Sequence, residues 1–159
     1  MYKLVMTMES SFYALRSFFE RPVCQRAADP LKDGAELAIQ VGTESPFSLS
    51  KHQGQLSLNP TPPTSPDITF LLGAEIPSLM SQLTSNEMAE LGISIFNWML
   101  EKDQNKRISA RVHIDSFSIL RKGYLGVLAQ GGIPVMQYLA TKGMGNLSKI
   151  KEVLSKLRS

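Results

Sequence analysis

Residues 66–100 constrain this chain more than any other stretch, because a strand signal there passes into two strongly apolar helical segments. Ile68, Phe70 and Leu72 alternate with Thr69 and Leu71, the period of two that sends successive side chains to opposite faces of a strand. From Ile76 the period changes, and Ile76, Leu79, Met80 and Leu83 recur at helical spacing. Thr84 and Glu87 have the spacing of a capping box, so a second helix is expected to start there with Met88, Leu91, Ile95 and Met99 along one side. Ile93, Phe96, Trp98 and Leu100 occupy its other sides. A helix that is apolar nearly all round is either covered on several faces or lines an enclosed space.

A chain of 159 residues is expected to form a single domain and to bury about 70% of the surface its unfolded form exposes, so a sizeable core needs no staples. The one cysteine, Cys24, excludes an internal disulfide and a cysteine-based zinc site, and reads as a small buried apolar residue. No run of about 18 apolar residues is present, which excludes a spanning helix. Met1 to Ser10 has one lysine and no continuous apolar core, so no signal peptide is expected and the cytoplasm is the default location, with peripheral membrane contact left open. The net charge of +3 is modest and the basic residues are mixed with acids, without an aromatic reader motif, so no nucleic-acid partner is expected.

Taken in order, Phe12, Leu15, Phe19 and Val23, with Tyr13 and Phe18 beside them, predict an amphipathic helix over residues 9–21 that Pro22 ends or bends. Phe18 and Phe19 beside Arg16 and Arg21 suit either docking on the core or an aromatic and basic membrane contact, and docking is the commoner fate of such a stripe. After the turn-rich interval at Asp29–Gly34, three short strands are expected: Leu37, Ile39 and Val41; Phe47 and Leu49; and Leu56 and Leu58, with Lys51-His52-Gln53-Gly54 as the turn between the last two. Their succession favours an antiparallel meander. Asn59 to Pro66 holds four prolines and is a rigid connector. Ile108, Ala110, Val112 and Ile114 alternate with Ser109, Arg111, His113 and Asp115 in the cleanest strand pattern of the sequence. Phe117, Leu120, Tyr124 and Val127 then predict one helix ending at Gly131-Gly132, followed by a short helix near Pro134 and a last one, capped by Asn146, with Leu147, Ile150, Leu154 and Leu157 as its seam. That seam suits docking on its own domain, on a protein partner or on an anionic membrane.

Catalytic chemistry finds little support. His52 and His113 have no second His, Cys or carboxylate at metal-ligand spacing, and no hydrolase, metalloprotease or phosphate-loop pattern occurs. Nothing local places Asp67 near Asp115, and Asp67 after Pro66 reads as a strand starter that satisfies nearby amides. The expectation is therefore no catalytic residue, no metal and no cofactor. What remains is a methionine-rich apolar inventory, Met80, Met88, Met99, Met136 and Met144 with Phe70, Phe96 and Phe117, suited either to a loose core or to an irregular guest.

With these elements assembled, the chain resembles the sterol carrier protein lipid-transfer family. The residues that carry the resemblance are Leu37–Val41 and Phe47–Leu58 for the meander, Pro66-Asp67-Ile68-Thr69-Phe70 for a strand opening on an aspartate, and Arg107–Ile114 for the last strand, within residues 9–129. The resemblance implies an α+β fold, a twisted, mainly antiparallel five-stranded sheet covered on one face by helices, with residues 130–159 as a helical C-terminal extension. It implies an apolar tunnel between sheet and helices, and makes Phe70, Leu72, Leu79, Met80, Leu83, Met88, Leu91 and Ile95 candidate wall residues. The function it implies is non-enzymatic binding, transfer or presentation of a fatty acyl, sterol-like or isoprenoid lipid. Two other readings stand beside it: a scaffold of the same fold with a filled tunnel, docking through the Leu147–Leu157 helix, or a lipid-holding subunit of an enzyme complex.

Overall fold

The computed structural model describes residues 2–129. The first helix, α1 (Tyr2–Glu20), ends where the sequence places the break, and α2 (Pro22–Ala27) begins at once. Arg21 between them is extended, at φ −61° and ψ 142°. A residue before proline is driven out of the helical region, and the proline then serves as the first residue of the next helix, where its missing N–H costs nothing.

Five strands follow: β1 (Glu36–Val41), β2 (Phe47–His52), β3 (Gln55–Asn59), β4 (Ile68–Leu72) and β5 (Ile108–Val112). They form one sheet in the order β3-β2-β1-β4-β5. β1 and β4 run parallel, and each other neighbouring pair is antiparallel. The mainly antiparallel, five-stranded α+β architecture read from the sequence is the one observed. The turn between β2 and β3 is shorter than the four residues expected. Lys51 and His52 belong to β2, and only Gln53 (φ 50°) and Gly54 (φ 79°) turn the chain. Two consecutive positive φ values are what a two-residue hairpin requires to match the twist of its strands.

Between β4 and β5 lie α3 (Ile76–Ser81), α4 (Met88–Met99) and a single 3-10 turn at Gln104–Lys106. The capping box expected from Thr84 and Glu87 does not form. Glu87 is itself the N-cap and makes no side-chain cap bond, while its N–H donates to Ser85 Oγ at 3.1 Å. After β5 the single helix expected from Phe117 to Val127 is broken into α5 (Ser116–Arg121) and α6 (Tyr124–Ala129). The break is at Gly123, φ +91°, where a Cβ would run into the Pro30 carbonyl. Lys32 N–H donates to the Lys122 carbonyl at 2.9 Å, so the chain turns here to pack against the segment ahead of β1. Only glycine fits so close an approach at that backbone angle. The helices expected near Pro134 and over Leu147–Leu157 lie outside the described residues.

The register places Leu37, Ile39 and Val41, Phe47 and Leu49, Leu56 and Leu58, Ile68, Phe70 and Leu72, and Ile108, Ala110 and Val112 on one face of the sheet. This is the face the helices cover. α1 packs against β3 and α3, and α4 against β5. Leu15, Phe18 and Val23 are buried in the same core as the strands, and Phe12 meets the ring of Phe47 edge-on at 5.1 Å. Phe18 and Phe19 therefore dock on the core and are not a membrane-facing stripe.

Candidate ligand-binding face

Three rows of side chains cross the inner face of the sheet on β1, β4 and β5. Val41, Leu72 and Ile108 form one row, Ile39, Phe70 and Ala110 the next, and Leu37, Ile68 and Val112 the third. Both outer rows are buried throughout. In the middle row Ile39 is buried, but Phe70 and Ala110 are only half-buried. A close-packed core has the opposite profile, since side chains at the centre of a covered face lose most water contact. The middle of the β4–β5 half is thus less tightly covered than its two ends.

The helices beside it repeat the pattern. Leu79 and Leu83 on and after α3, and Met88, Ile95, Trp98 and Met99 on α4, are half-buried and pack against the core without being enclosed by it. Of the eight wall residues implied by the resemblance, Phe70, Leu79, Leu83, Met88 and Ile95 are half-buried, whereas Leu72, Met80 and Leu91 are fully buried. Ala110, Trp98 and Met99 share this environment and were not among those eight. Ala110 carried a legible signal, a methyl group at an inward position between Ile108 and Val112, which leaves volume where its neighbours fill it.

Two polar devices hold the walls. Arg21 donates to the Leu83 carbonyl at 2.7 Å, the Ser85 carbonyl at 2.5 Å and Asn86 Oδ1 at 3.2 Å, with its guanidinium carbon 5.9 Å from the centre of the Phe18 ring. One cation between α1 and α2 thereby fixes the α3–α4 connector and the entry to α4. At the other end, Asp67 is buried and its carboxylate accepts from Lys122 Nζ at 2.6 Å, Tyr124 OH at 2.6 Å and Glu36 N–H at 3.2 Å. Its backbone joins β1 and the end of β5, through Asp67 N–H to the Glu36 carbonyl at 2.7 Å and His113 N–H to the Asp67 carbonyl at 2.9 Å. The sequence reading of Asp67 as a strand starter holding nearby amides is met by the Glu36 bond. Lys122 and Tyr124, 55 and 57 residues away, gave no local signal.

Burial, the hydrogen bond to Asp67 and the charges of Asp67 and Glu36 all push the Tyr124 hydroxyl above its ordinary value, so it stays protonated and donates. The carboxylate is saturated by donors, which makes the cluster a clamp on the α5–α6 turn. Asp115 is engaged separately, accepting from Ser118 N–H at 2.7 Å as the cap of α5. Cys24 is pushed up to about 11 by burial, with Arg21 opposing, the behaviour of a small packed side chain. Of the two histidines, His113 Nε2 lies 2.8 Å from Thr69 Oγ1, and His52 is exposed at the end of β2.

No protein-family model matches the chain, and no curated protein sequence matches it. The structure is similar to a solved chain titled "UbiJ-SCP2 Ubiquinone synthesis protein", with a TM-score of 0.39 and 14% sequence identity, over 80% of this chain and 96% of that one. No described helix is long and apolar enough to cross a membrane.

Proposed function

We propose that this protein is a non-enzymatic carrier or presenter of a hydrophobic ligand of the acyl, sterol-like or isoprenoid class, held between the β4–β5 half of the sheet and α3–α4. The observation that carries the reading is the middle row, where Phe70 and Ala110 remain half-buried between fully buried ends, together with the half-buried Leu79, Met88, Ile95 and Trp98 that pack against the same core. Each methylene moved from water onto such a face contributes about 0.8 kcal/mol. A chain of roughly ten methylenes then gains about 8 kcal/mol before association costs, enough for a reversible carrier and too little for a permanent cofactor. Methionines at two of the wall positions tolerate guests of different shape.

Native mass spectrometry of the purified protein before and after organic extraction tests this. A co-purifying lipid mass lost on extraction, with fluorescent acyl probes taken up afterwards, is the expected result. A protein of bare mass that also ignores acyl probes contradicts the reading and leaves the filled scaffold in its place.

A further inference from the structure

Large apolar side chains open to water are few among the described residues: Tyr13, Leu100, Phe117 and Leu120. Two of these belong to α5. Ile119 is its inward residue, 1% exposed, and Phe117 and Leu120 stand away from the core at 71% and 40%. With the exposed Arg121 they occupy positions i, i+3 and i+4 of one helical face. The Arg121 guanidinium carbon lies 5.9 Å from the centre of the Phe117 ring. The helical run predicted from Phe117 to Val127 would have turned Phe117 with Tyr124 toward one side. The break at Gly123 separates them and leaves Phe117 outside.

Charge is distributed unevenly along the chain. Residues 1–129 contain twelve basic and thirteen acidic side chains, whereas residues 130–159 contain Lys142, Lys149, Lys151, Lys156 and Arg158 against Glu152 alone. The body of the protein is nearly neutral, and its positive charge is concentrated in the chain that follows α6. Next to the exposed pair, Arg121 faces outward, while Lys122 is bound to Asp67 and Asp115 caps the start of the helix.

We infer that the Phe117–Leu120–Arg121 face of α5 is a docking surface for an anionic lipid bilayer. Phe117 and Leu120 enter the interfacial zone, Arg121 remains at the level of the phosphates, and the basic residues downstream add long-range attraction. Two apolar side chains and one basic residue give only reversible attachment, and a polybasic segment is the kind of second signal that makes such attachment useful. The surface stands on its own exposure and charge, whether or not the sheet holds a guest.

Sedimentation of the full chain with vesicles provides the test, using phosphatidylcholine–phosphatidylglycerol against phosphatidylcholine alone. The wild type is expected to bind the anionic vesicles and to release as salt is raised. Phe117→Ser with Leu120→Ser is expected to weaken binding about tenfold or more, and Arg121→Gln about fivefold, with melting temperatures unchanged because these side chains are exposed. Equal binding by the double serine variant overturns the proposal by assigning all attachment to the basic segment. Absence of binding to either vesicle also overturns it, as does a concentration-dependent dimer that Phe117→Ser abolishes, which gives the face to a second copy. Acyl-probe binding by the same variants is expected to match wild type, so failure of the carrier reading and failure of the docking surface register in different measurements.

Discussion

The two halves of the inner sheet face are built from the same residue types and are covered differently. On β1–β2–β3, Leu37, Ile39, Phe47, Leu49, Leu56 and Leu58 are all buried, with α1 packed above them. Even the polar groups there are consumed internally. Lys51, on the inner face of β2, is buried and donates to the Ala28 carbonyl at the end of α2 at 2.6 Å, where the helix C-terminus favours a cation. The Gln25 amide accepts from Leu56 N–H at 3.0 Å and donates to the Leu56 carbonyl at 2.8 Å, pairing with the edge strand as another strand would. On β4–β5 the same alternation of apolar residues ends in a half-buried middle row. A hydrophobic face therefore need not be a finished core, and the difference lies in what the opposing layer fills.

That contrast can be broken by experiment. Removing a packed side chain from the closed half, Leu49→Ala, is expected to cost about 3 kcal/mol in urea unfolding. Asp67→Ala is expected to cost about as much, roughly 3 kcal/mol, because it strands Lys122 and Tyr124 and frees the α5–α6 turn. In the less tightly covered half, Ile95→Ala is expected to cost only about 1 kcal/mol, since Ile95 is only half-buried to begin with. Equal losses at Leu49 and Ile95 would mean that the two halves are packed alike.

Smaller effects sharpen the comparison. The Tyr124 hydroxyl is raised in the folded state above its ordinary value of 10.0. Its contribution is therefore fully present below about pH 10 and is lost as alkali ionises the unfolded chain first. Urea midpoints are expected to fall above that pH, and Tyr124→Phe is expected to flatten that part of the profile. Cys24, held at about 11 against an ordinary 9.0, is expected to react with a thiol reagent near pH 8 about a hundredfold more slowly in the folded protein than in urea. Equal rates would place Cys24 outside the packed layer.

Much of this architecture was legible because alternation is a local signal. Each strand was found at its inward residues, and the break at Pro22 follows from the chemistry of proline alone. What escaped depended on distance along the chain. Lys51 looked like a turn residue because a charge at an inward position makes sense only once the end of α2 lies above it. Phe117 and Tyr124 share helical spacing, and the reason they do not share a helix is the Pro30 backbone nearly a hundred residues earlier. Periodicity marks the inward face of β4 but not how that face is covered: Phe70 and Leu72 have the same pattern on the same strand, and one is half-buried while the other is enclosed.

Ala110 is the position at which room for a guest in the middle of the β4–β5 half is tested most directly. Leu91 is already buried, so a larger residue there would overpack the helix layer, whereas Ala110 is half-buried beside Phe70. Acyl-probe titration of Ala110→Trp, with its urea midpoint measured alongside, is expected to show binding weakened at least about tenfold while stability stays within about 1 kcal/mol of wild type. Unchanged probe affinity in a normally folded Ala110→Trp protein would contradict the account.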